Sequence, residues 1–309
     1  MNNQIAATGQ ELSIYRSSEL IEAFLDYADV KPTSEESYLK ALKPLFRYLI
    51  AHDITAPTRE DIKAYRQELL DSKKETTVNM YMTTCRLFFE WTERTGIYPN
   101  VAARLKGAKV SPEFKKDNLT SEQVKTVLQN IDTGTATGKR DYALIFLTVT
   151  CGLRTSEVIN ADVKDLTVKG NRTVLYVKGK GRDGKDAYIN VSAETDRIIR
   201  EYLRSRKDAE PNAPLFTSVS NRNDGRRLTT RSVRRIVKTR MRNVGIDSVR
   251  LSAHSLRHTA ATLAIEGKNS TEDTQMFLRH RDISTTMRYN HAIDLENNTC
   301  SETITAAII

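Results

Sequence analysis

Apolar side chains in the first hundred residues recur every three or four positions. Leu20, Ile21, Phe24 and Leu25 begin the pattern, and Leu39, Leu42, Leu45, Phe46, Leu49 and Ile50 extend it. Ile62-Tyr65-Leu69 and Val78-Met82-Leu87-Phe88-Trp91 repeat it twice more. Such spacing puts one face of each segment into a core, which predicts a small bundle of helices with short connections. Thr33/Ser34 and Thr58, each followed by acids, predict helix N-caps, and Gly96 predicts a C-terminal stop. Pro44 lies inside a periodic stretch and predicts a kink or a late start.

The period is lost over GAKVSPEFKKDNL, which predicts a linker. A helix then starts after Thr120, and a buried one runs over about 139–151, closed by Gly152. Alternation takes over at Val163–Val168, Thr173–Val177 and Ala187–Val191, predicting three strands with a turn at Gly170-Asn171 and a longer one over GKGRDG. Helices are expected again over 193–207, 230–243, 253–266, 271–278 and 283–289. The fold class is therefore mainly α with two domains: a helical N-terminal bundle, and a mixed α+β C-terminal domain with a small antiparallel sheet. The boundaries are a segment 1–15, a helical domain 16–106, a linker 107–118 and a second domain 119–309.

A length of 309 residues agrees with two domains. The opening MNNQIAATGQELS has neither the basic nor the apolar region of a signal peptide, and the longest apolar run, Ala143–Val149, is too short to span a bilayer. Three scattered cysteines form no framework. These features predict a cytoplasmic protein that does not engage a membrane. Charge sharpens the picture. Residues 1–110 hold 15 basic and 15 acidic side chains, so the whole surplus of +9 falls on the remaining 33 against 24. A surplus confined to one half suits a polyanionic partner there, although basic proteins need not bind nucleic acid.

Four constellations carry candidate chemistry. In CGLRTSE, Glu157 follows Arg154 at a spacing that lets its carboxylate hold the guanidinium, although surface ion pairs give the same pattern. In HSLRH, His254 and Arg257 share a helix face, offering a proton-transfer group beside a fixed cation. His254 and His258 could alternatively be read as metal ligands, but Ser255 replaces the usual glutamate and no third ligand is evident. His280 precedes Tyr289 within HRDISTTMRYNH, and Lys180 stands between glycines at an expected hairpin tip. Arg222–Arg242 contains nine basic residues and one acid, with Arg231, Arg234, Arg235, Lys238 and Arg242 opposite an apolar face. That face is a candidate DNA contact; Arg240, on the apolar side, stands out.

In the order Arg154, Lys180, His254-x-x-Arg257, His280, Tyr289, the sequence resembles the tyrosine recombinase/phage integrase family, which includes the Xer recombinases. GLRTSEV, VKGKG, HSLRHTAAT and LRHRDISTTMRY are similar to its four boxes, over about Leu119–Tyr289. The resemblance implies a site-specific recombinase that forms a 3′-phosphotyrosyl bond through Tyr289. Arg154, Arg257 and His280 would stabilise the phosphate, His254 would act as base and Lys180 as acid, without ATP, metal or other cofactor. It implies double-stranded DNA as partner, a core-binding first domain that clamps the duplex, and a homo- or hetero-tetramer joined through the apolar tail 303–309. Arg279 departs from the pattern, since glycine commonly precedes that histidine. A type IB topoisomerase or a catalytically silent DNA-binding regulator on this fold are the alternatives. Chromosome-dimer resolution and mobile-element integration are not distinguished, and the absence of an extra arm-binding domain leans toward a simple Xer-like enzyme.

Overall fold

The computed structural model describes residues 12, 17–109, 118–179, 184–219, 224–280, 282–284, 286, 287 and 289. They form two compact units, divided between Pro112 and Glu113. Most of the expected linker, Lys180 and the tail 303–309 lie outside the described residues.

Four helices build the first unit: α1 (Ser17–Ala28), α2 (Pro32–Ala51), α3 (Arg59–Ser72) and α4 (Glu75–Arg94). Their apolar stripes meet as expected, with the ring centres of Phe24, Phe46 and Trp91 all within 5.7 Å of that of Phe88. Thr58 caps α3 in a reciprocal box with Asp61. Gly96, at φ +72°, follows the end of α4 as expected. Two expectations for α2 are corrected. It starts at Pro32, well ahead of Pro44 rather than late, and its N-cap is Lys31, so Thr33 and Ser34 lie inside the first turn. Pro32 supplies the start because the first helical positions need no N–H partner. Burial of Leu42, Leu45, Phe46 and Leu49 carries the helix past Pro44.

The second unit contains α5 (Ser121–Gln129), α6 (Ala136–Thr150), α7 (Thr155–Asn160), β1 (Leu166–Lys169), β2 (Arg172–Val177), β3 (Ala187–Asn190), α8 (Ala193–Arg204), α9 (Thr230–Arg242), α10 (Ala253–Glu266) and α11 (Thr271–Leu278). The sheet is antiparallel in the order β1-β2-β3, with Leu166 opposite Leu175 and Leu175 opposite Ile189, all three facing the core. The first strand starts later than its alternation suggested, because Val163–Asp165 is a 3₁₀ turn. Asp165 turns its carboxylate back to the Asp162 N–H at 2.7 Å, and Lys185 pairs with both acids. Helix α6 begins before 139, where the Thr135 hydroxyl accepts from the Gly138 N–H. Its inner face packs beside α8, α10 and α9, and α7 follows directly from its end.

The end of α6 sets the spacing of everything that follows. Gly152 has φ +56°, and an added Cβ would lie 2.8 Å from Leu278 Cδ2 and 3.0 Å from Phe277 Cε1. A side chain there would strain the backbone and force Leu278 or Phe277 to shift. Gly152→Ala is expected to destabilise the protein by about 2 kcal/mol, read as a lower urea midpoint with an unchanged slope; an unaltered midpoint would contradict this packing.

Candidate active site

Arg154 is the N-cap residue of α7, one turn before Glu157. The Glu157 carboxylate is 1% exposed and takes the Arg154 main-chain N–H and guanidinium, each at 2.8 Å. Arg279 donates to the same carboxylate at 2.8 Å, and Arg257 Nη1 lies 3.9 Å from it. Three guanidinium groups thus converge on one buried carboxylate. Burial alone would push the Glu157 carboxyl up; Arg279 and the Arg154 N–H outweigh it and hold the group below its ordinary value.

The remaining positive charge meets helix ends. Arg257, 2% exposed on α10, donates to the main-chain oxygens of Gly152 and Leu278. Arg279 donates to the oxygens of Phe277 at 2.6 Å and Gly152 at 3.3 Å, and its own oxygen accepts from Arg154 at 3.1 Å. These carbonyls close α6 and α11, where the last turn has no helical partner and carries partial negative charge. The guanidiniums therefore staple two helix C-termini while leaving further N–H groups for an anion. Burial, with the Arg154 charge, lowers Arg257 to about 9, which leaves it protonated at neutral pH.

Arg279 occupies the left-handed position that ends α11, φ 55° and ψ 45°. An arginine there costs about 1 kcal/mol relative to glycine, so its side-chain bonds offset a real strain. His280 follows, its Nδ1 2.8 Å from the Thr286 hydroxyl. Burial, then the charges of Arg257, Arg154 and Arg279, lower His280 to about 4, so the ring is neutral near pH 7. Thr286 and Met287 both bond back to the Ile283 oxygen, a helical turn within the expected 283–289 segment.

Tyr289 is buried against Ala261 and Leu278, and its hydroxyl meets Nδ1 of His258. The sequence pattern pointed to His254 as the base for this hydroxyl. His254 is exposed instead and lies edge-on to His258, ring centres 4.6 Å apart. Arg154, His254, Arg257, His280 and Tyr289 are thus gathered at one place, and Lys180 lies outside the described residues. Sequence reading missed the His258–Tyr289 contact and the pairing of Arg279 with Glu157. The HSLRH box displayed His258, but nothing local joins positions 31 or 122 residues apart.

On α9, Val233, Val237 and Met241 are buried and Arg231, Arg234, Arg235 and Arg242 are exposed. With Arg140 and Lys238, the first three of those arginines line an open groove of about 990 Å³. Lys238 and Arg242 both pair with Asp247, at 2.9 and 3.0 Å. Arg240 is accounted for by Asp141, which it meets at 2.7 Å and which also holds Arg140. Among the described residues no cluster of metal-ligating side chains occurs, and no helix is long and apolar enough to cross a membrane.

Residues 117–296 match the phage integrase family. This chain is a member of that family, a tyrosine site-specific recombinase. It is 29% identical over 229 residues to a tyrosine recombinase of Synechococcus elongatus, covering 74% of this chain and 71% of that one. It is 27% identical over 268 residues to the tyrosine recombinase XerC of Pelobacter propionicus, covering 85% and 86%. Its fold is that of the XerH recombinase bound to its palindromic difH substrate after cleavage, with a TM-score of 0.73 at 19% identity over 93% of this chain and 85% of that one. A lambda integrase dimer bound to a core site gives 0.71 at 18% identity, over 91% and 77%.

The lowered His280 has a measurable consequence. Between pH 6.5 and about 4 the unfolded chain takes up a proton that the folded ring refuses, so folding stability decreases as the pH is lowered through that window. His280→Gln is expected to flatten that part of the stability profile relative to the parent in urea titrations. Parallel profiles would place His280 in a solvated setting.

Proposed function

We propose that this recombinase cuts and rejoins double-stranded DNA at a specific site, with Tyr289 as the nucleophile of a phosphoryl transfer. The observation that carries the reading is that Arg154 and Arg257 share one buried carboxylate, with His280 and Tyr289 within electrostatic reach of Arg257, in a member of this family. The tyrosyl oxygen forms a bond to the scissile phosphorus while the bond to the 5′-oxygen breaks, giving a 3′-phosphotyrosine and a 5′-hydroxyl. Attack by another strand's 5′-hydroxyl reverses the step, so the bond energy is kept.

A phenol with a pKa near 10 needs a proton acceptor at neutral pH. His258 holds the hydroxyl and His254 packs edge-on against it, which makes this pair the route by which the proton leaves. Arg154 and Arg257 supply fixed donors to the non-bridging oxygens, where charge builds in the transition state. Neutral His280 adds a further donor: when the Thr286 hydroxyl donates to Nδ1, the ring proton sits on Nε2. Lys180 is the proposed acid for the departing 5′-oxygen.

The groove beside α9 is the proposed phosphate track, and the likeness to XerH on its difH substrate and to the Tn1549 transposon integrase in complex with circular intermediate DNA supports DNA as the partner. The first unit serves as the core-binding domain in this reading, and the tail 303–309 as the link to a neighbouring subunit in a tetramer. Relatives named as recombinases favour strand exchange over simple relaxation.

Tyr289→Phe removes one oxygen. It is expected to bind a nicked target duplex like the parent and to form no SDS-resistant adduct; adduct at the parental rate would exclude Tyr289 as nucleophile. The target itself comes from sequencing the junctions of covalent protein–DNA adducts captured genome-wide. Among the described residues no acid pairs with Arg231, Arg234 or Arg235, unlike Lys238. Replacing the three arginines by Ala is expected to weaken binding and reduce the slope of log affinity against log salt by about 2–3. An unchanged slope would make this a merely solvated face.

A further inference from the structure

Arg279 stands where the boxes that this sequence resembles carry glycine, in a backbone conformation that glycine would enter without strain. Its side chain does not reach for solvent. It is 14% exposed, and its guanidinium binds Glu157, Phe277 and Gly152. Its Nε is buried with no hydrogen-bond partner among the described residues. Its main-chain oxygen accepts from Arg154. Both ends of the residue therefore act on the Arg154–Glu157 pair, one on each partner.

We propose that Arg279 is a positioning residue for strand cleavage, which fixes the Arg154–Glu157 clamp and adds a positive charge behind it. The inference rests on the reading of this site as the phosphate-binding centre. With Arg279 present, three guanidiniums face one carboxylate and leave a surplus of two positive charges; glycine would leave one. A phosphodiester carries one negative charge, and attack by tyrosyl oxygen adds more on the non-bridging oxygens. The larger surplus matches the transition state better than the ground state, so it acts on the rate of cleavage more than on DNA affinity. An arginine that merely stapled α6 to α11 would have no such preference for charge.

The test compares the parent with Arg279→Gly and Arg279→Lys in single-turnover cleavage of a nicked target duplex. Each is run on the ordinary phosphodiester and on a methylphosphonate, in which a methyl group replaces one charged non-bridging oxygen. Arg279→Gly is expected to slow phosphodiester cleavage by at least about 10-fold, with half-site Kd within about twofold. On the methylphosphonate, the gap between Arg279→Gly and the parent is expected to shrink to below about threefold. Arg279→Lys, which keeps the charge with fewer donors, is expected to fall between. Parental cleavage by Arg279→Gly, or equal slowing on both substrates, would overturn the proposal. If Arg279→Gly fails to unfold cooperatively, the same two-substrate ratio for Arg279→Lys decides. Arg154→Ala is run alongside. Normal cleavage by Arg154→Ala would remove the reading of the site itself, whereas its loss together with normal Arg279→Gly would remove only the present inference.

Discussion

The Glu157 carboxylate is the point on which the arginines of the second unit converge. A carboxylate at 1% exposure is costly to bury, and it is held charged here by Arg154, Arg279 and Arg257 together. Arg154 and Arg279 bond it directly, while Arg257, at 3.9 Å, is held chiefly by main-chain oxygens. Such clusters contribute little net stability compared with apolar packing, but they allow few alternative geometries. A site that handles a phosphate benefits from that, because donors already in place need no reorganisation when charge develops.

The cluster is possible because two helices end beside each other. Helix α6 ends just before Gly152, whose bare backbone lies close under Phe277 and Leu278, and α11 ends at Arg279 in a left-handed turn. The free carbonyls of both ends point at Arg257 and Arg279, so helix termini that would otherwise need water are satisfied by the cations of the site. Packing and the proposed chemistry share the same atoms.

Charge outside this centre follows a different logic. Helix α9 buries Val233, Val237 and Met241 and turns its arginines outward. Asp247 occupies Lys238 and Arg242, so the sequence's uniform basic stripe is divided into a committed end and an open one. Asp141, buried between Arg140 and Arg240, anchors the helix to α6 and explains the arginine that its apolar face would otherwise reject.

Much of this was legible in the chain itself. Helical and alternating periods, Thr58 as a cap, Gly96 as a stop, and the Arg154–Glu157 spacing are local features, because they depend on neighbours within a turn or a pleat. The ordered motif set pointed to the family, since six chemically demanding residues in order rarely arise from packing alone. Strand β1 and the start of α2 were misplaced at their edges, where Asp165 and Pro32 override periodicity by local bonding. Tertiary structure alone decided that Arg279 turns inward to Glu157 and that Tyr289 meets His258 rather than His254. Those pairings join residues far apart in sequence. They follow from which helix ends the core brings together, and no local pattern encodes that.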